Sequence, residues 1–232
     1  MGRIITVDQN YPTRAAVDEA VATLSFGGVL VMPTDSVYGI GCSAMPNNPG
    51  HERIFQIKRR ERTQTLPWLI ADAGDLMRYA ADLTQQDVEL AAAFWPGAFT
   101  LVVHASDEVA PEYRGADGTI ALRLPDSNLV REIARRSGCA LATTSANTHG
   151  EAAATSGASV EQRIIAAADL TLDGGPAPIA IASTIVSCIG GEVRVLREGA
   201  IPRERILSAL SQGASSCNLA TRGPSLVFRN EQ

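Results

Sequence analysis

Aromatic residues make up only 5% of this 232-residue sequence, and there are 3 histidines and 4 cysteines. So few aromatics leave few platforms on which nucleic-acid bases could stack. His51, His104 and His149 are far apart, as are Cys42, Cys139, Cys188 and Cys217, and no Cys-x-x-Cys pair occurs. That pattern excludes the usual zinc spacings and a disulfide framework. Cys42 is expected to be a buried structural thiol. Long apolar runs are absent as well. None approaches the roughly 18 residues of a membrane helix, and Met1-Gly2-Arg3-Ile4-Ile5 lacks the apolar core of a signal peptide. The expectation is a cytoplasmic protein. Charged residues are sparse at 19% and the net charge is -5, which opposes a broad nucleic-acid surface and leaves room for a local basic cleft.

What the chain does have is apolar residues, 45% of the total, enough for a substantial core at this length. The stretch Val29 to Gly41 organises the reading. Val29 to Met32 is an unbroken apolar run, as expected of a strand buried on both faces, and Pro33 stops it. Thr34, Asp35, Ser36 and Tyr38 follow at its carboxyl end, where open α/β sheets place their ligands. Gly39 and Gly41 let the backbone approach something closely. Asn48-Pro49 then predicts a helix start, and Ile54, Phe55 and Ile57 give that helix a buried side. It ends in Lys58-Arg59-Arg60-Glu61-Arg62, where Lys58 and Arg60 are expected to be exposed. Such cations suit a polyanionic ligand, and they equally suit a solvated helix C-terminus.

Elsewhere, Thr13 predicts the cap of a helix through Leu24, and Leu66 to Ile70 reads as a strand. Helices are expected over Gly74 to Ala81 and Thr84 to Ala93, the second with a Thr84–Asp87 capping box. A strand follows at Phe99 to His104, then a mobile surface loop from Ser106 to Gly118. Thr119 to Leu124 is a strand carrying Arg123 among apolar neighbours. A buried arginine is costly unless paired, so Arg123 meets either a protein carboxylate or an anionic ligand. A helix over Asn128 to Ser137 leads to the strand Cys139 to Thr143, which ends in Thr144-Ser145-Ala146-Asn147 and repeats the opening design. Ser159 with Gln162 predicts the cap of a helix through Ala168. Strands at Leu170 to Asp173, Thr184 to Ser187 and Glu192 to Arg197 precede a last helix from Pro202 to about Ser211. The domain is expected to span 1–211, with a flexible tail over 212–232.

Several of these segments carry a resemblance. Pro33-Thr34-Asp35-Ser36-Val37-Tyr38-Gly39-Ile40-Gly41 with Arg53-Ile54-Phe55-Gln56-Ile57-Lys58-Arg59-Arg60 resembles the opening signature of the Sua5/YciO/YrdC family, the threonylcarbamoyl-AMP synthases. Trp95 to Val102, Ala121 to Pro125, Thr144 to Asn147, Ala182 to Val186 and Val195 to Gly199 match later family blocks in order. The resemblance covers about Val29 to Gly199. It implies a single-domain α/β fold, a twisted mixed sheet flanked by helices around a concave basic cleft, like the family's short members, with no room for their larger relatives' second domain.

The resemblance further implies an enzyme, a nucleotidyltransferase that converts L-threonine, bicarbonate or CO2, and ATP with Mg2+ into threonylcarbamoyl-AMP and pyrophosphate. A separate transferase complex would then use the adenylate on adenosine 37 of tRNA. Carried over by motif, Lys58, Arg60, Ser145 and Asn147 form the catalytic and ATP-binding tetrad, and Arg197 is a further ATP-binding residue. Thr34, Arg123 and Ser183 match the threonine-binding positions. No metal ligand from protein side chains is implied. Tyr38 either lines the pocket or packs as an ordinary core tyrosine. The chain departs from the family pattern at Glu61 in place of a proline, in the missing histidine of Leu66 to Ala71, and in Ala152-Ala153-Ala154 where a serine is usual. The alternatives are a YciO-like paralogue with another substrate and an RNA-binding module without this chemistry, and weak contact with tRNA is a further partner expectation.

Overall fold

Strand β2 (Leu30–Met32) is buried along its whole length, because helices cover both faces of the sheet that contains it. The computed structural model describes residues 2–62 and 65–220. The sheet runs β1 (Arg3–Thr6), β9 (Leu170–Asp173), β2, β3 (Gly39–Ser43), β8 (Leu141–Ser145), β4 (Trp68–Leu69), β7 (Thr119–Arg123), β6 (Phe99–Ala105), β10 (Thr184–Ser187) and β11 (Arg194–Arg197). A short β5 (Ala80–Ala81) pairs with β6 as a side branch. Strands β1, β9 and β2 are parallel, as are β4 with β7 and β6 with β10. The remaining neighbours are antiparallel, so the sheet is mixed, as expected.

The two-residue period of a strand sorts its side chains between two apolar layers. Leu30 and Met32 join α1 (Arg14–Ser25) and α5 (Asn128–Ser137) on one face, through Val17, Ala20, Leu24, Leu129 and Ile133. Val31 joins the larger layer on the other face, with α2 (Pro49–Lys58), α3 (Asp75–Tyr79), α4 (Gln85–Phe94), α6 (Gln162–Ala167) and α7 (Arg203–Ala220). Among the described residues no helix is long and apolar enough to cross a membrane.

Local signals set most boundaries. Thr13 caps α1, Asn48 caps α2 with Pro49 in its first turn, and Thr84 with Asp87 forms the capping box of α4. Other elements differ from expectation for tertiary reasons. The helix predicted from Gly74 to Ala81 stops at Tyr79, because Ala80 and Ala81 pair with Ala105 and His104. Ser159 closes a capping box with Ser156 around a 3-10 turn, so Glu161 takes the N-cap position of α6. The Ser106 to Gly118 segment is pinned rather than loose: Val109 and Tyr113 are fully buried, and the Tyr113 hydroxyl donates to the Met45 carbonyl at 2.9 Å. The predicted tail from Gln212 begins inside α7, and 221–232 lie outside the described residues.

Gly39 and Gly41 sit within β3, and the close approach they allow is to β8. A Cβ on Gly41 would lie 2.6 Å from Thr143 Oγ1, 3.0 Å from the Ala142 carbonyl and 3.0 Å from Met32 Cε. Gly41→Val is therefore expected to destabilise the fold by about 1–3 kcal/mol through overpacking. Urea unfolding measures it; an unchanged midpoint would show that the strands part without cost.

Candidate active site

The carboxyl ends of β2, β7, β8 and β11 and the amino ends of β6 and β10 converge on one cavity of about 230 Å³. Its walls are rich in hydroxyl and amide groups, among them Thr34, Ser36, Thr100, Ser145, Asn147 and Ser183, with Arg123 and Arg197 as cations and Glu151 as carboxylate. Register explains the pairing of residues distant in sequence. Parallel β6 and β10 place Thr100 beside Ser183, their hydroxyl oxygens 2.8 Å apart. Arg197, at the end of β11, donates from Nη2 to the Ser183 carbonyl at 2.8 Å and to its hydroxyl at 3.2 Å.

Arg123 meets a protein carboxylate. It is 6% exposed and donates Nε to the Gly97 carbonyl at 2.9 Å, Nη1 to Ser36 Oγ at 2.7 Å, and Nη2 to Asp35 Oδ1. Three of its five N–H groups are thus committed, and two remain for a ligand. Burial pushes the Asp35 carboxyl above the usual carboxylate range despite the attraction of Arg123, and Asp35 Oδ2 has no hydrogen-bond partner. The Thr34 hydroxyl is also committed, donating to the Val37 carbonyl at 2.7 Å and accepting from the Ser36 N–H at 3.2 Å. That turn shapes the chain leaving β2, so Thr34 has only lone-pair capacity to offer a substrate.

Lys58 departs most from expectation. It is 2% exposed, not solvent-exposed. Its stem follows Ile54 down the buried side of α2, one helical turn on, so the ammonium must find partners inside. It donates to the Ser145 carbonyl at 2.5 Å, to the Asn147 carbonyl at 2.7 Å and to Asn147 Oδ1 at 3.4 Å. Burial, then the nearby Arg60 charge, lowers its pKa to about 8. Lys58 therefore lies under the Ser145-Ala146-Asn147 loop and holds it from behind. Arg60 is half-buried with its guanidinium 5.9 Å from the Phe55 ring, and it lines a separate shallow hollow with Arg59, Glu61 and Arg62.

The tetrad is thus brought together only in part. Ser145 and Asn147 line the cavity, Lys58 supports them, and Arg60 stands apart with Glu61. The cavity is also less basic than expected, since Arg123 is balanced by Asp35 and the Arg59 to Arg62 cations face the neighbouring hollow. Tyr38 takes the packed role while contributing to the wall. Its fully buried side chain donates to the Gly175 carbonyl at 2.7 Å and its hydroxyl accepts from the Gly174 N–H at 3.0 Å. The Cys42 thiol, raised to about 12 by burial, is inert at neutral pH. Among the described residues, no group of three or more His, Cys, Asp or Glu is placed to hold a metal ion.

Sequence reasoning did not single out Thr100, Thr143 or Glu151 in the lining, although Thr100 falls within a family block, and it read Thr144 only as part of the polar end of its strand. One compositional signal was available for Lys58. It is the sequence's single lysine, the other members of its 20 Lys and Arg residues being arginine. A compact ammonium with three donors suits a nest of carbonyls that a planar guanidinium would not.

The Sua5/YciO/YrdC family model, described as telomere recombination, matches residues 22–199. The chain is 32% identical over 191 residues to threonylcarbamoyl-AMP synthase of Bacillus subtilis (strain 168), spanning 82% of this chain and 55% of that protein. It is 32% identical over 197 residues to the putative threonylcarbamoyl-AMP synthase of Mycobacterium tuberculosis (strain ATCC 25618 / H37Rv), spanning 85% of this chain and 90% of that one. Pyrococcus abyssi Sua5 complexed with L-threonine superposes with a TM-score of 0.84 at 29% identity, over 89% of this chain and 60% of that one. Escherichia coli YciO, at 22% identity, shares the fold with a TM-score of 0.80, over 89% of this chain and 100% of that one. The chain therefore spans a little over half the length of the Bacillus and Pyrococcus relatives. Agreement in residues and in fold over most of the sequence carries one conclusion, that the chain belongs to the Sua5/YciO/YrdC family.

Proposed function

We propose that this chain is an L-threonylcarbamoyladenylate synthase, a nucleotidyltransferase joining L-threonine, bicarbonate or CO2, and ATP into threonylcarbamoyl-AMP and pyrophosphate. The observation that supports it best is the meeting of Arg123, Ser183 and Arg197 with Ser145 and Asn147 in one cavity at one end of the sheet. The carbamate oxygen of N-carboxythreonine attacks the α-phosphorus, the bond from that phosphorus to the bridging oxygen breaks, and pyrophosphate leaves with the bonding pair. Two anions must meet, so catalysis rests on alignment and charge stabilisation rather than on a protein nucleophile. In this reading Arg123 takes the threonine carboxylate with its two uncommitted N–H groups, and Ser183 and the Thr34 oxygen face the rest of the amino acid. Arg197, Ser145 and Asn147 hold the nucleotide, Lys58 fixes their loop, and Arg60 reaches the outer phosphates from the rim.

Mg2+ arrives with the nucleotide as its counter-ion. The Ser145 hydroxyl and the Glu151 carboxylate in the cavity lining would suit a hard cation that keeps most of its water, while Asn147 Oδ1 already accepts from Lys58. The product would be consumed by a transferase that modifies adenosine 37 of tRNA.

Two measurements test the reading. Purified protein with ATP, Mg2+, bicarbonate and threonine is expected to release pyrophosphate only when all are present. Calorimetry with a non-hydrolysable ATP analogue is expected to rank threonine above serine, and valine last by at least about tenfold, because valine leaves polar groups of the site unpaired. Equal affinity for threonine and valine would favour a paralogue acting on another substrate, a reading that the prior occupation of Arg123 by Asp35 also suits.

A further inference from the structure

Just outside the cavity, the loop after Asn147 carries bonds that the proposed chemistry does not use. The Thr148 N–H donates to Glu161 Oε1 at 2.6 Å, and its hydroxyl donates to Glu161 Oε2 at 2.7 Å while accepting from Arg163. Arg163 also donates to the carbonyl of Ile57, the residue before Lys58, and pairs with Glu161 at 3.5 Å. On the other side, the His149 N–H donates to the Lys58 carbonyl at 3.0 Å. The start of α6 is thereby bonded both to the last turn of α2 and to the loop that Lys58 supports. Packing alone does not call for this network, since the six-residue α6 is seated in the core by Ile164 and Ile165.

We propose that Thr148, Glu161 and Arg163 are positioning residues that clamp the Ser145 to Asn147 loop onto the C-terminal turn of α2, fixing Lys58 and that loop as one unit. The clamp rests on the synthase reading only for its effect on ATP. Its effect on Lys58 is independent of any substrate. Two charged groups act on the Lys58 ammonium: Arg60, from the end of its own helix, lowers its pKa, and Glu161, from α6, raises it. The clamp carboxylate is thus also the anion that offsets part of the burial penalty of Lys58.

Because Lys58 is the only lysine, side-chain isotope labelling of lysine gives one ammonium resonance in the NMR spectrum. Glu161→Gln is expected to move the Lys58 titration to lower pH than in the wild type. It should also lower kcat/KM for ATP by roughly tenfold to a hundredfold, the scale of a small misplacement of a binding group. Thr148→Val, which keeps the charge and loses the hydroxyl tether, is expected to lower kcat/KM similarly with little change in the titration. Thr148→Ser, which keeps the hydroxyl, should match the wild type and thereby separates a lost tether from a general loss of fold. A Lys58 titration unchanged in Glu161→Gln would overturn the clamp, as would wild-type kcat/KM for ATP in both Glu161→Gln and Thr148→Val. If ATP with Mg2+ leaves the wild-type Lys58 resonance unmoved, the synthase reading fails instead, and a shifted titration in Glu161→Gln still upholds the clamp.

Discussion

Asp35→Ala is expected to cost about 3–5 kcal/mol of folding stability, the scale for removing one partner of a buried ion pair. The side chains of Arg123 and Asp35 are 7% and 4% exposed, so water from the cavity can take over only part of the guanidinium charge left behind. Asp35→Asn keeps an oxygen acceptor facing Arg123 Nη2 and should cost less. The double variant Asp35→Ala with Arg123→Met should recover much of the loss, because no bare charge then remains in the interior. Chemical denaturation of the free protein at neutral pH measures all three, and the cycle gives the coupling between the two sites. Additive single and double variants would show that the two groups do not depend on each other.

That pair also bears on amino-acid binding. In the free protein Asp35 and Ser36 already satisfy the inner edge of the Arg123 fork, so an incoming carboxylate finds a charge-assisted donor on a guanidinium held in a fixed orientation. The rotamer freedom of a long side chain has been given up at folding rather than at binding. Asp35 therefore acts as a positioning residue for Arg123 in the proposed site. Under the proposed function, the same arrangement would bring the threonine carboxylate near the Asp35 carboxylate, which would limit affinity.

The sequence makes the layering legible. Periodicity and capping signals locate β2, β9, β10 and α5 nearly to the residue, because those boundaries are set by the chain's own neighbours: Pro33 after β2, and Ser127 and Gly138 around α5. Elements decided by partners are harder to read. Ala80-Ala81 has little strand character and becomes a strand only where β6 offers an edge. Gly39 to Ser43 looks like a loop for a ligand and proves to be a strand pressed against Thr143. In the site, the family resemblance singles out Ser145, Asn147, Ser183 and Arg197, and all four line the cavity. It does not tell whether a cation faces solvent or the interior. Lys58 and Arg60 are two residues apart on a chain leaving its helix, and that difference in direction puts one under the loop and the other in the neighbouring hollow. The choice of Asp35 as partner of Arg123 depends on β2 and β7 ending on the same side of the sheet, which no local pattern encodes.

Lys58→Met is expected to reduce kcat/KM for ATP by roughly 10²- to 10³-fold, about 3–4 kcal/mol, the scale for deleting one preorganised electrostatic donor. Lys58→Arg should not rescue it, since a planar fork cannot replace a compact ammonium among the Ser145 and Asn147 oxygens. The pH dependence provides the sharper test. Burial lowers the Lys58 pKa from 10.5 to about 8, so between those values the unfolded chain holds a proton that the folded protein has released. Stability therefore rises with pH through that window on account of this group. Activity moves the other way, because the neutral amine donates more weakly to the Ser145 and Asn147 oxygens and holds their loop less firmly. The kcat/KM profile, which reports the free enzyme, should fall as pH rises through about 8. Bound triphosphate favours the ammonium, so the corresponding limb of kcat should lie at higher pH. Subtracting the unfolding free energy of Lys58→Met from that of the wild type, pH by pH, isolates the contribution of this residue, and the difference should climb above about pH 8. Parallel stability profiles for the two proteins, or a kcat limb no higher than that of kcat/KM, would remove Lys58 from its assigned role.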